Sequence, residues 1–414
     1  MSRRRVVITG LGCVTALAES ADGLFAALLE GKSGISTIEH FDTSNFPVRF
    51  GGEIKNFDVS KYVDVREGHR MDLFSQYAVA AARQAIEDSK LDLDKEDLYR
   101  VGAIVGTGIG GIQEIETQHI RLLQKGVRKV SPFTVPRLMA NAASGNIAIQ
   151  FHLKGHNHAV TSACASGSHA IGEAFCNIIA GRSDVMITGG TEAALSPIGL
   201  SSFCAARSLS TKNDDPLHAS RPFDRDRDGF VMADGAGIVV LEEYEHARNR
   251  GAKIYAELLG YGATDDGFHI TQPLANGEGA AKTMELALED AGIKPQQVDY
   301  INAHGTGTEL NDLAESAAIK AVFGEYAYKV KVSSTKSCLG HSLGATGAIE
   351  LLICTKVITD SAIPPTTNLD NPDERCDLRI DYVPLKMKEA KVDIAISNSF
   401  GFGGHNACLV IGKI

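Results

Sequence analysis

The chain has 414 residues, 44% hydrophobic and 22% charged, which fits a folded globular protein and not a disordered one. That length allows two or three domains, or one large duplicated unit. A net charge of -10 argues against wholesale nucleic-acid binding, and no apolar run nears a membrane span or a secretory leader.

Taken in chain order, RVVITGLG (5–12) predicts the first strand and QYAVAAARQAIEDS (76–89) the first helix. VGAIVGTG (101–108) is a strand leading into the helical IQEIETQHIRLLQ (112–124). SHAIGEAFCNIIAG (168–181) is a helix, and DVMITGGTE (184–192) and AGIVVLEE (236–243) are strands. AAKTMELALEDAG (280–292) is a helix ending at glycine, as helices often do. VDYINAHGTG (298–307) and KVKVSSTKS (329–337) are strands, and GAIELLICTKVIT (347–359) is a helix. VDIAISNSFG (392–401) and NACLVIG (406–412) close the chain as strands. The strand runs are continuously apolar and do not alternate, which indicates sheets covered by helices on both faces. Strands alternating with helices define an α/β fold.

The chain also echoes itself. VGAIVGTGIGG (101–111) resembles VDYINAHGTGT (298–308), TSACASGSHAIGEAF (161–175) resembles STKSCLGHSLGATGAIEL (334–351), and DVMITGG (184–190) resembles DIAISNS (393–399). Three matches in the same order predict two related halves, 1–251 and 252–414.

The eight cysteines form no C-x-x-C pair, and a chain this long needs no disulfide staples, so a reduced cytoplasmic setting is expected. Most read as small buried residues. Cys164 differs. In AVTSACASGSHAIGEAF a strand ends, small residues follow, and a helix begins. A thiol at a helix N-terminus meets free N–H groups and the positive dipole end, which lower its pKa. Its own N–H can face an oxyanion. The bland alternative is a small residue in a tight turn.

His304 and His341 each follow a strand, where open α/β sheets place ligand crevices. A neutral imidazole donates from Nε2. Two such donors beside one thiol suit stabilisation of an enolate. Lys336 can tune the local charge, with Glu315 as its expected ion-pair partner. Phe402, between the glycines of NSFGFGGHN (398–406), reads as a gate. Thr306 and Thr308 place hydroxyls beside His304.

Three motifs point elsewhere. Gly106, Gly108 and Gly111 spell G-x-G-x-x-G between a strand and a helix, the context of a dinucleotide fingerprint. No strand ending in Asp or Glu follows about 20 residues later, which argues against a dehydrogenase. Asp224, Asp226, Asp228 and Gly229 fit a calcium loop, but position twelve is Gly235 and not Glu. With Arg225 and Arg227 interleaved, an ion-paired loop is the simpler reading. His152, His156 and His158 lack a fourth zinc ligand.

ACASG (163–167), HGTGT (304–308), STKSCLGH (334–341) and NSFGFGGHN (398–406), in this order, resemble the β-ketoacyl synthases of the thiolase superfamily, most closely the type II branch. SRPFDRDRDGFVMADGAG (220–237), AKIYAELLGYG (252–262) and PPTTNLDNPDE (364–374) extend the resemblance over essentially the whole chain.

The resemblance implies a duplicated five-layer α-β-α-β-α fold with two mixed sheets, and a homodimer. Acyl carrier protein would load an acyl chain onto Cys164. Malonyl carrier protein would then be decarboxylated, and its carbanion would attack that thioester. Cys164 is then the nucleophile, and His304 and His341 assist decarboxylation. Lys336 supports the site, and Phe402 gates the pocket and completes the oxyanion hole. Ile109, Phe400, Thr271, Thr306 and Thr308 would bind substrate. Arg66, Arg70 and Arg207 would face the acidic carrier protein. No organic cofactor, membrane or nucleic acid is implied, while a structural monovalent cation is implied near Asn302 and Glu350.

Glu309 stands where the family pattern has proline, His405 where some relatives carry threonine, and Thr134 where an aromatic residue is expected. These departures bear on chain length. Within the superfamily, an inactive chain-length partner would lack Cys164. A degradative thiolase would need a second catalytic cysteine, and Cys408 lies inside a strand. A polyketide or type I elongating ketosynthase shares the motifs.

Overall fold

The structure, a computed structural model, describes residues 3–414. Ten strands build its main sheet. The N-terminal half supplies β1 (Val6–Thr15), β2 (Val101–Gly106), β3 (Asn157–Val160), β4 (Val185–Glu192) and β5 (Gly235–Glu243). The C-terminal half supplies β6 (Ala256–Asp265), β7 (Tyr300–Asn302), β8 (Lys331–Ser333), β9 (Ile394–Gly401) and β10 (His405–Gly412). The principal helices are α1 (Leu73–Ser89), α2 (Ile112–Lys125), α3 (Ala142–Phe151), α4 (Ser166–Ile179), α5 (Glu278–Ala291), α6 (Glu309–Phe323) and α7 (Thr346–Asp360).

Strand order runs β8-β7-β9-β10-β6-β1-β5-β4-β2-β3. Numbered within its own half, each set of five reads 3-2-4-5-1. Each has two parallel pairings followed by two antiparallel ones. The expected pair of mixed sheets needs one refinement. β1 pairs with β6 through Val6–Leu258, Val7–Glu257 and Ile8–Ala256, so the two sheets run into one ladder at that edge.

β1, β2 and β4 are buried along their whole length, as their unbroken apolar runs require. α1 lies on β1 and β5. It can do so because Gly10 and Gly12 present bare backbone: a Cβ at either would lie 2.0 Å from the Ala85 or Ala81 carbonyl oxygen. The buried alanines Ala78, Ala81, Ala82 and Ala85 complete that close approach. α4 and α7 form the middle layer between the two halves, and α5 and α6 cover the far face. From Thr346 to Ile358 every residue of α7 is buried, which marks a helix enclosed on all sides. Two charged residues, Glu350 and Lys356, are therefore carried into the interior.

Each central helix begins alike. A one-turn 3₁₀ segment, Ala163–Ala165 before α4 and Leu343–Ala345 before α7, opens on a non-glycine residue with positive φ. These are Ala163 at φ 50° and Leu343 at φ 46°. Such conformations persist only where surrounding structure enforces them. Both turns stand at the site described next.

Candidate active site

A cavity of about 490 Å³ is lined by Cys164, His304 and His341 together. The sulfur and both imidazoles are buried, at 9%, 2% and 2% exposure. Ser166 Oγ accepts from the Ser162 N–H at 2.9 Å and donates to the Ala163 carbonyl at 2.7 Å, which pins the turn that carries the thiol. The backbone N–H groups of Phe402 and of Cys164 itself both act to lower the thiol's pKa.

The thiol pKa differs from expectation. Burial pushes it up to about 11, against the pull of the Phe402 N–H and of Lys336. A helix terminus contributes about 0.3–1 kcal/mol. Taking a thiolate out of water costs more, so desolvation wins.

The His304 and His341 rings meet edge to face, centroids 5.4 Å apart at 86°. His341 is anchored: Nδ1 bonds Thr346 Oγ1 at 2.9 Å and Phe230 packs against the ring at 5.3 Å. Its Nε2 has no partner among the described residues. His304 has Phe400 against its ring at 5.8 Å, and its unpartnered buried nitrogen is Nδ1. Neither ring's Nε2 is taken up by a hydrogen bond among the described residues. Burial holds both histidines well below their ordinary pKa, with Lys336 acting in the same direction, so both are neutral.

Lys336 does not pair with Glu315. Its Nζ donates to Glu350 Oε1 at 2.5 Å. Glu315 instead accepts from the N–H groups of His304 at 2.8 Å and Gly305 at 2.7 Å. Starting from α6, it caps the loop that α6 follows. Gly305 and Gly307 take positive φ of 36° and 79°, which ends β7 at Asn302, sooner than the sequence pattern suggests.

Phe400, Phe402, Thr271, Thr306, Thr308 and Arg207 all line the cavity. Thr306 and Thr308 hydroxyls lie 2.9 Å apart. Ile109 is not on that wall. It is 37% exposed, in a loop whose N–H groups turn toward Glu192. Arg66 and Arg70 are exposed and also stand off the cavity; Arg70 pairs with Glu67 and lies over Phe133. Glu309 opens α6 and binds Arg375 at 2.6 Å, a favourable place for an acid in a first helical turn. His405 pairs with Asp265 at 3.2 Å, and Thr134 Oγ1 donates to the Ser131 carbonyl. Asp224 binds Arg221, so the acidic loop is ion-paired. Sequence reading does not find Thr346, Phe230 or Glu192, because nothing local marks them.

The oxygens near Asn302 and Glu350 fit a cation. Asn302 Oδ1, Ser397 Oγ and Glu350 Oε2 are buried without partners among the described residues. Asn302 and Ser397 face each other in register on β7 and β9. The Tyr300 hydroxyl touches Asn302, and Tyr300 lies in the field of Glu350. Hard oxygen donors of this kind suit an alkali-metal ion.

A buried thiol with two neutral imidazoles beside it is equipment for acyl transfer and enolate stabilisation. The sequence profile described as "Beta-ketoacyl synthase, N-terminal domain" matches residues 3–247, and the corresponding C-terminal domain matches 255–370. The chain belongs to the beta-ketoacyl synthase family. It is 50% identical to the 3-oxoacyl-[acyl-carrier-protein] synthase 2 of Synechocystis, across 100% of this chain and 99% of that protein. The protein of the same name from Staphylococcus aureus is 48% identical, across 99% and 98%. Among solved structures, a beta-ketoacyl synthase from Burkholderia phymatum superposes with TM-score 0.92 at 36% identity, covering 99% of this chain and 100% of that one. A ketosynthase solved with its type II polyketide acyl-carrier protein gives 0.92 at 33% identity, covering 100% of both. No described helix is long and apolar enough to cross a membrane.

Proposed function

We propose that this chain lengthens an acyl chain by two carbons, as a 3-oxoacyl-[acyl-carrier-protein] synthase of the type II kind. The observation that carries the reading is one cavity uniting Cys164 with the buried rings of His304 and His341. In the first step Cys164 Sγ attacks an acyl thioester on the carrier protein. The carrier's thiol leaves with the proton that the cysteine gives up. In the second step a malonyl thioester loses carbon dioxide. Its carbonyl oxygen, now an enolate, takes hydrogen bonds from the imidazoles. The enolate carbon attacks the Cys164 thioester, whose oxygen collapses from the Cys164 and Phe402 N–H groups. The C–S bond breaks, a 3-oxoacyl thioester remains on the carrier, and Cys164 leaves as a thiolate that takes a proton from solvent to restore the resting thiol.

Thr306 and Thr308, with Thr271, stand where a carrier's pantetheine arm would pass, and Arg207 at the wall would meet its acidic surface. Identity of 48–50% to 3-oxoacyl synthases, against 33% to the polyketide ketosynthase, favours the fatty-acid reaction over polyketide extension. Eight free cysteines fit a reduced cytoplasmic setting.

A second copy of the chain would cover Ile115, Ile120, Leu123, Val127 and Val135, all more than 45% exposed around α2. Sedimentation as a monomer at micromolar concentration would remove that homodimer. Asn302, Ser397 and Glu350 would hold a monovalent cation, whose charge would offset the buried carboxylate. A melting temperature indifferent to replacing potassium and sodium by a bulky organic cation would exclude it.

The deciding experiment incubates the protein with acyl- and malonyl-carrier protein and follows products by mass. Cys164→Ala should give neither acyl-enzyme nor a 3-oxoacyl product. Normal condensation by that variant would sink the assignment.

A further inference from the structure

The glycine-rich loop that looks like a dinucleotide fingerprint already holds an anion, and that anion is part of the protein. Glu192 ends β4 and is fully buried. Its Oε2 accepts from the Gly108 N–H at 2.7 Å and the Gly344 N–H at 3.0 Å. Its Oε1 accepts from Thr107 Oγ1 at 3.0 Å and the Ile109 N–H at 3.2 Å. Thr107 Oγ1 in turn accepts from Gly110 N–H at 3.1 Å, so the whole 107–110 turn is ordered around one carboxylate. Successive backbone N–H groups in such a turn form an anion-binding concavity. In a dinucleotide site a phosphate fills it; here Glu192 does.

The clamp joins the two halves where the chemistry sits. Gly344 follows Leu343, which lines the cavity, and lies three residues after His341. In the duplicated pattern, its 3₁₀ turn matches the turn of Cys164. A Cβ on Gly106 would lie 2.2 Å from the Ser166 carbonyl oxygen, behind the nucleophile's turn. A Cβ on Gly344 would lie 2.3 Å from the Gly108 nitrogen. The Cys164 turn, the 106–110 loop and the His341 loop are thus in mutual backbone contact around one carboxylate.

We infer that Glu192 is a positioning residue for the condensation: by tying the Gly108 loop to the Leu343–Gly344 turn, it sets the spacing between Cys164 and His341. The inference rests on the proposed roles of those two residues. All four partners donate, so only a carboxylate satisfies them. A glutamine would turn an NH₂ group toward donors whichever way its amide lay.

The test compares Glu192→Gln, Glu192→Asp and Thr107→Val with the wild-type protein. Glu192→Gln should lower kcat for condensation by about 100-fold, the cost of an ångström-scale misplacement, with little change in KM. It should also shift the pH profile of Cys164 alkylation by iodoacetamide to lower pH, because a negative charge beside the sulfur is gone. Glu192→Asp keeps the charge, so its alkylation profile should stay in place while kcat falls. Thr107→Val removes one donor and should show a smaller kcat loss, and it decides the matter should Glu192→Gln fail to fold. A folded Glu192→Gln, or failing that Thr107→Val, with wild-type kcat would overturn the clamp. Condensation by Cys164→Ala would instead overturn the underlying function.

Discussion

Lys336 and Glu350 form an ion pair closed off from water: Nζ to Oε1 is 2.5 Å, and each side chain is 2% exposed. Neither could be charged there alone. Burial pushes the Glu350 carboxyl up to about 7 even with Lys336 holding it down. Removing one partner of a buried pair costs about 3–5 kcal/mol, since the other is stranded. Lys336→Ala should therefore lower unfolding free energy by about 3 kcal/mol in urea titrations. Glu350→Gln, which keeps an oxygen for Lys336, should cost less. Equal stability of Lys336→Ala and wild type would mean that the pair is not closed in solution. Lys336→Ala should also slow condensation, because it strands the Glu350 carboxyl beside the site and removes a charge that adds to burial in keeping both imidazoles neutral.

The imidazoles themselves give a second prediction. Burial, and Lys336 with it, holds His304 and His341 well below the ordinary histidine pKa. Their ring resonances should stay in the neutral position from pH 8 down to about 6, where exposed histidines titrate. The sign for stability follows. Below about pH 6.5 the unfolded chain binds protons at these histidines that the folded chain refuses, so they destabilise the fold as pH falls. Glu315 and Glu350, both raised to about 7, act in the opposite sense: their folded forms take up protons first as pH falls below 7. Between about pH 4.5 and 6.5 the two effects oppose each other. His304→Ala should therefore remove one of the two destabilising histidine terms. Its stability should fall less on acidification than that of wild type, as read by urea titrations at pH 7 and pH 5.5. A ring that titrates near 6.5 would contradict the buried, lysine-flanked setting.

What the sequence revealed and what it hid follow from the range of the forces involved. α7 and β1 are legible because burial on all sides demands unbroken apolar runs. β3 is hidden, because its residues 157–160 are partly exposed and carry a histidine. β6 is hidden because glycines hold its buried positions 260 and 262 while Leu259 and Tyr261 take the half-buried ones, which erases the apolar–polar alternation of a half-covered strand. α3 contains Gly145 and Asn146, which blur any helical pattern. Cys164, His304 and His341 stand out because each lies at a strand end in a run of small residues. The Lys336 partner does not. Glu315 and Glu350 are both acids on helices that follow histidine loops, and only the packing of α7 through the middle layer decides between them. The thiol's pKa is likewise a property of the closed cavity, which no local motif encodes.

Far from the site, His246 bridges Glu242 at 2.9 Å through Nδ1 and Glu96 at 2.9 Å through Nε2. The bond to Glu242 raises its pKa to about 9. A histidine raised in the folded state stabilises fully below its unfolded value of about 6.5 and loses that contribution as pH rises through 9. The ceiling is about 3 kcal/mol, at about 1.4 kcal/mol per unit of pKa difference. His246→Gln should therefore flatten the stability profile between pH 6.5 and 9, measured by thermal melts across that range. A profile parallel to wild type would show that the bridge is not made. Catalysis should be unaffected, as His246 packs between β5 and the 96–100 segment, outside the cavity.

The sulfur of Cys164 sits between opposing charges, and that balance can be read directly. Burial raises the thiol to about 11; Lys336 pulls it down and Glu192 pushes it up. Thiolate is the alkylating species, so iodoacetamide should modify Cys164 slowly at pH 7 and faster with each unit of pH, without a plateau below about pH 10. Lys336→Met removes the positive charge and should displace the profile to higher pH, opposite in sign to the shift from neutralising Glu192. A cysteine already thiolate at neutral pH would level off near pH 7 and ignore both substitutions. That outcome would mean that the helix terminus outweighs desolvation. The resting enzyme would then hold a charged nucleophile. As built, the thiol stays neutral until an acyl thioester enters, and its proton can leave with the departing carrier thiol as the C–S bond forms.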